Sequence, residues 1–192
     1  MSPTERSGRR SGCRGVTLVE VIMFIVIVGV AAGGILMVFA NTSRASADPL
    51  IRKQALAIAE SLIEEVRQMP FTFCDPDDAN ASTATGAFVG VNGCAATVEA
   101  MGPEAGETRY APLTPFDNIN DYNGFAMAGG ILDITGATIA GLDAYSASVA
   151  VTPIVFGGIA ATDAQQITVT VTGPGNITVT LDGIRTRHVP NL

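Results

Sequence analysis

The chain has 192 residues, a formal net charge of −7 at pH 7 and a sequence pI of about 4.5. That acidity argues against direct nucleic-acid binding, which needs a basic footprint to neutralise phosphates. Hydrophobic residues make up 47% of the chain, many of them in one run near the amino terminus, and the roughly 150 residues beyond that run suit a single domain with its own core.

Residues 1–15 form a basic leader in which Arg6, Arg9, Arg10 and Arg14 stand against Glu5. Val16 to Ala40 follows as an apolar run of 25 residues whose only charge is Glu20. As a helix rising about 1.5 Å per residue it would be roughly 37 Å long, enough to cross a hydrocarbon core once. Beyond it stand Arg44 and Asp48, so the excess of arginine before the span keeps the amino terminus in the cytoplasm and places everything after residue 40 outside it. An ordinary secretory signal is cut after its apolar stretch, and the alternative here is processing in front of it. An ionised carboxylate in apolar surroundings costs several kcal/mol unless paired, so Glu20 calls for a partner. The competing reading is an uncleaved signal anchor with Glu20 at the headgroup level.

The segment Arg14-Gly15-Val16-Thr17-Leu18-Val19-Glu20 resembles the prepilin motif of type IV pilins and type II secretion pseudopilins. The resemblance implies that a prepilin peptidase cuts between Gly15 and Val16 and N-methylates Val16. It implies an assembly role for Glu20, which would pair with the terminal amine of a neighbouring subunit as the apolar helices bundle. Implied partners are the peptidase, other pilin subunits, the inner-membrane assembly machinery and, before assembly, membrane lipid. The implied location is the inner membrane with a periplasmic domain, then an extracellular pilus. Two positions depart from the pattern: Val16 stands where phenylalanine is usual, which bears on processing, and Met37 where many major pilins have proline, which bears on helix straightness. Gly29, Gly33 and Gly34 suit either local plasticity or close helix approach.

Loss of residues 1–15 would remove four arginines and one glutamate, taking the formal charge from −7 to −10. Cys13 would leave with the leader, and Cys74 and Cys94 would remain as an even pair on the oxidising side. A bridge between them closes a loop of about 20 residues, and chain entropy puts its stabilisation at roughly 3 kcal/mol. Two unpaired thiols are the alternative, and no neighbouring histidine or second cysteine pair completes a metal set.

Asn41-Thr42-Ser43 reads as a polar collar, and Asp48-Pro49 as a kink or a restart with Asp48 capping. A helix is predicted over 49–69, with Ile51, Ala55, Ile58, Leu62 and Val66 on one stripe widened by Leu56, Ala59 and Ile63. Arg52, Glu60, Glu64, Glu65 and Arg67 are expected on its solvated side. Pro70 ends it and opens a long loop over 70–124 with short strands, a candidate functional surface. A sheet is predicted over 125–189. Alternation at Tyr145, Ala147, Val149 and Val151, then Ile167, Val169 and Val171, then Ile177, Val179 and Leu181 predicts three strands with one buried face each. Gly157-Gly158 separates the first two, and Gly173-Pro174-Gly175-Asn176 turns a hairpin between the last two. The expected fold class is α+β, a long helix on an antiparallel meander, in agreement with the pilin-like fold that the motif implies.

The stretch ADPLIRKQALAIAESLIEEV, with Cys74-Asp75-Pro76-Asp77-Asp78 after it, looks like the minor pilins D of mannose-sensitive haemagglutinin (MSHA) pilus systems. Phe116-Asp117-Asn118-Ile119-Asn120-Asp121-Tyr122 is similar to a segment of related minor pilins and pseudopilins. Asp75, Asp77 and Asp78 form one oxygen-rich patch, and Asp117, Asn120, Asp121 and Asn123 another, either a candidate for calcium although neither has EF-hand spacing. Backbone-bonding turns are the competing use of such residues. His188 is the only histidine and has no nucleophile near it in sequence, which gives a hydrolytic site no support. The expected function is structural, a minor subunit of an MSHA-type type IV pilus with no cofactor. A secretion pseudopilin, or a membrane-tethered binding domain that never enters a fibre, are the alternatives.

Overall fold

The computed structural model describes residues 15–187, which leaves the arginines of the leader, Cys13 and His188 outside the described residues. The chain divides into two compact units, Met1–Ser46 and Ala47–Leu192. A single helix, α1 (Leu18–Gln68), contributes to both. The expected restart at Asp48-Pro49 is therefore corrected: helical backbone carries through residues 41–48, and Pro49 lies inside the helix. Proline fixes φ near −65°, a helical value, so the position loses one backbone donor without ending the helix.

In the first unit, the stretch Leu18–Ala40 has a mean hydropathy of 2.9 and none of it is buried. A helix that is apolar all round has no soluble face to show, and this one is long enough to cross a membrane.

In the second unit, α1 turns Ala55, Ile58, Ala59, Leu62, Ile63 and Val66 into the core. Leu56, expected to widen that stripe, is 36% exposed, and Ala57 beside it is exposed too. Against this stripe lies a four-stranded antiparallel meander in the order β1-β2-β3-β4: β1 (Ala126–Met127), β2 (Ser146–Pro153), β3 (Ala164–Gly173) and β4 (Ile177–Thr186). The fold class is α+β. The register pairs Val149 with Val169 and Val169 with Leu181, so the alternating apolar residues of three strands share one face. Fully burying Val149 or Val169 contributes about 1.5–3 kcal/mol, whereas Val179 and Leu181 on β4 are only half-buried. The opposite face is polar: the Thr168 hydroxyl donates to Asp182 at 2.6 Å, and Thr172 lies 3.2 Å from Thr178.

Both hairpin expectations rest on left-handed backbone. Phe156 and Ile159 exchange backbone hydrogen bonds across Gly157 and Gly158, whose φ values of 57° and 87° match the two-residue turn that continues strand twist. Gly175 (φ 71°) and Asn176 (φ 58°) make the turn from β3 to β4.

The 70–124 stretch forms isolated bridges, Cys74 with Val98 and Val89 with Cys94, and a 3-10 turn at Ile119–Tyr122. Cys74 and Cys94 are joined by a disulfide, fully buried, with Ala84 in a small second core. A Cβ at Gly93 would sit 2.0 Å from the Phe88 carbonyl, so only glycine lets the chain turn into Cys94.

Candidate functional site

The amino-terminal features occupy one turn of helix. The Glu20 amide donates to Thr17 Oγ1 at 3.4 Å and the Val21 amide to the Thr17 carbonyl at 3.2 Å, so Thr17 caps α1. Threonine followed three residues later by glutamate is the spacing of a capping box. Val16 is 68% exposed, and the Glu20 side chain is exposed in the same turn, at the start of an unburied apolar surface. A carboxylate there favours the positive end of the helix dipole and lies within reach of a cation presented at its own level.

The second concentration of chemistry lies where the 70–124 loop folds back. The Ile119 backbone amide donates to the Pro70 carbonyl at 3.0 Å, and the buried Asn118 side-chain Nδ2 donates to Thr72 Oγ1 at 2.8 Å, so the residues just after α1 fix the 3-10 turn. Asp121 Oδ2 accepts from the amides of Asp117 (2.9 Å) and Asn118 (2.7 Å). Asp121 itself is fully buried, and its Oδ1 has no hydrogen-bond partner.

Five calcium candidates separate into three environments. Among the described residues, Asp75, Asp77 and Asp117 come together with ligand atoms within 4.8 Å of one another, and Asp121 does the same with Glu99 and Glu104. Asp78 belongs to neither. Its two oxygens accept from the amides of Asn80, Ala95, Ala96 and Thr97 at 2.7–2.8 Å, and those bonds hold its carboxyl well below the usual range. In Asp78 the turn-forming use of an aspartate has won over the ligand use. Asn123 is also spoken for, its Oδ1 accepting from the Val151 amide at 3.2 Å. Asn120 Oδ1 accepts from the buried Gln165 amide.

Glu99 and Glu104 escaped the sequence reading. Glu99 directly follows the bridge residue Val98, and its amide donates to the Phe73 carbonyl at 3.1 Å. Burial first, then the neighbouring charges of Asp121 and Glu104, push its carboxyl up to about 9. The same two causes raise Asp117 to about 6, and burial likewise brings Asp121 to about 6. Isolated glutamates in an aperiodic stretch carry no local signal, and only the long-range closure of the loop assembles them.

Glu65 corrects another expectation. It was placed with Glu60 and Glu64 on a solvated face, and Glu64 does stand exposed beside Arg67. Glu65 instead accepts two hydrogen bonds from Arg109, Nε to Oε1 at 2.6 Å and Nη2 to Oε2 at 2.7 Å, and a third from the Tyr122 hydroxyl at 2.7 Å. The Arg109 Nη1 also donates to the carbonyls of Leu132 and Asp133. This network ties α1 to the loop before β1 and to the 3-10 turn.

The prokaryotic N-terminal methylation motif matches residues 10–36, which takes in Gly15, Val16, Glu20 and most of the apolar helix. No curated protein and no solved structure matches the chain. The motif is the prepilin-type signal, so it implies processing by a prepilin peptidase and assembly with other pilin subunits, and the helix behind it is long and apolar enough to anchor the chain in a membrane.

Proposed function

From the premise that this motif marks a type IV pilin-like or pseudopilin-like structural subunit, we propose that the chain is a minor pilin of an MSHA-type type IV pilus, akin to minor pilin D of those systems. Processing between Gly15 and Val16 leaves an N-methylated Val16 amine. Glu20 complements the amine of a neighbour, and the apolar helix passes from lipid into a helical bundle that covers the same surface. The work done is polymerisation or the priming of it. The Ala47–Leu192 unit, with its disulfide and folded-back loop, is what the subunit presents once anchored.

The observation that carries this reading is the junction of a methylation motif at 10–36 with one unburied apolar helix from Leu18 to Ala40. The specific tie to an MSHA system rests on the stretch from Ala47 to Val66 and the Cys74–Asp78 segment alone. Co-expression of the full chain with a prepilin peptidase, followed by intact mass and amino-terminal sequencing of the membrane fraction, tests processing. A start at N-methylated Val16 supports the subunit. Retention of residues 1–15 beside an active peptidase favours a tethered domain. Cross-linking of the processed chain in cells that assemble an MSHA-type pilus, set against cells that assemble only a type II secretion pseudopilus, separates those two fibres.

A further inference from the structure

We propose that Glu99, Glu104 and Asp121 form a calcium site that clamps the folded-back loop onto the 3-10 turn at Ile119–Tyr122.

Three carboxylates converge so that an oxygen of each lies within 4.8 Å of the others. Oxygens on opposite sides of a calcium ion bound at its usual 2.3–2.6 Å are about 4.6–5.2 Å apart, so one such ion can reach all three carboxylates. Magnesium draws its ligands in to about 4.1 Å across and demands an octahedron.

A cluster of acids alone says little, because acidic groups gather at many surfaces. What distinguishes this one is that four of its oxygens are out of solvent and have no hydrogen-bond partner among the described residues. Asp121 is 0% exposed, with Oδ2 committed to the Asp117 and Asn118 amides and Oδ1 left with none. Both oxygens of Glu99 and Oε1 of Glu104 are likewise buried and unpartnered. Burying an unpaired polar oxygen costs roughly 1–3 kcal/mol, and one common partner would relieve all four. Among the described residues, protein cations do not supply it. Arg187 feels the charge of Glu99, yet it is stacked between Phe71 (4.0 Å) and Phe73 (3.8 Å) and held at 3.3 Å from Asp163. Arg109 is bound to Glu65. A divalent ion satisfies all four oxygens at once, with Glu99 free to bind through both of its own. Glu99 also lines a cavity of about 470 Å³, beside Asn120 and Gln165.

The clamp would join pieces far apart in sequence: Glu99 beside the disulfide loop, Glu104 after Gly102-Pro103, and Asp121 in the turn held by Pro70. The Asp75, Asp77 and Asp117 group adjoins it but is more open, and Asp75 Oδ1 already accepts from the Asp77 amide at 2.7 Å.

The test uses the full chain in detergent micelles, stripped with chelator, with calorimetric titration and thermal melts in calcium chloride and in magnesium chloride. The expected result is one calcium binding step and a melting temperature about 5–10 °C higher when calcium is 100 times its Kd, with a smaller shift in magnesium. Glu99→Gln should lose the calcium shift, because the amide offers the ion one neutral oxygen in place of a carboxylate. Asp77→Asn should keep it. No heat and no shift up to 10 mM calcium would overturn the proposal, as would a shift that survives Glu99→Gln or one that Asp77→Asn removes.

Discussion

Glu65 on α1 and Arg109 in the loop before β1 meet in a two-pronged ion pair, 44 residues apart in sequence, with N···O distances of 2.6 and 2.7 Å. The Arg109 side chain is 5% exposed and that of Glu65 19%, so the pair is only partly open to water. Burial by itself would raise the Glu65 carboxyl, but the hydrogen bonds from Arg109 and Tyr122 and the charge of Arg109 outweigh it and leave Glu65 below its ordinary value. Breaking a buried pair strands the surviving partner. Arg109→Ala should therefore cost about 2–4 kcal/mol, discounted from the fully buried case because Glu65 is partly solvated, as read by chemical denaturation.

The same pair sets an acid limit. A carboxyl whose folded value is depressed contributes its stability above the unfolded value near 4.5, and that contribution is lost as pH falls from there through the folded value. Unfolding free energy should drop below about pH 5, and Glu65→Gln, weaker at pH 7, should show a flatter profile in that window. Equal slopes in both proteins would remove Glu65 from the acid response.

Glu20→Ala separates anchoring from assembly. The substitution removes the one charge in the span, so membrane insertion, measured by carbonate extraction, should be unchanged or stronger. Cross-linking to a co-expressed pilin subunit should fall at least tenfold. Insertion and cross-linking both at parental levels would speak for a tethered domain.

Replacing Cys74 and Cys94 together by alanine should cost roughly 3 kcal/mol, chiefly by freeing the unfolded chain. Both sulfurs sit in a small satellite core with Ala84, apart from the main core under the sheet. The loss should thus appear in denaturant midpoint while β2 to β4 keep their hydrogen-exchange protection.

Asp78 offers a local probe. Its carboxylate gathers the amides of Ala95, Ala96 and Thr97 behind the disulfide. Asp78→Ala should speed hydrogen exchange at those three amides, whereas Asp77→Asn should leave them slow. Uniform slow exchange in both variants would show that the disulfide alone holds the turn.

What was legible in the sequence was whatever local pattern encodes. The apolar run with Glu20 behind a basic leader, the stripe at Ala55, Ile58, Leu62 and Val66, the strand alternation and the glycine turns are each decided within about ten residues, because helix and strand periods place neighbours on a face without help from the rest of the chain. Of the kink or restart foreseen at Asp48-Pro49, the restart does not occur, for a reason of the same scale: a single proline removes one donor and need not stop a long helix.

Only the tertiary structure could say what Glu65, Asp78, Glu99 and Asp121 do. All are acidic residues on polar stretches, indistinguishable by local pattern, yet one pairs with a buried arginine, one gathers backbone amides, and two lose their water beside each other. A carboxylate's role is set by what surrounds it within a few ångströms, through Coulomb energy and desolvation that depend on distance and burial. In the stretch between α1 and β1 those neighbours come from residues tens of positions away, brought together by the Cys74–Cys94 closure and the docking of Ile119 on Pro70.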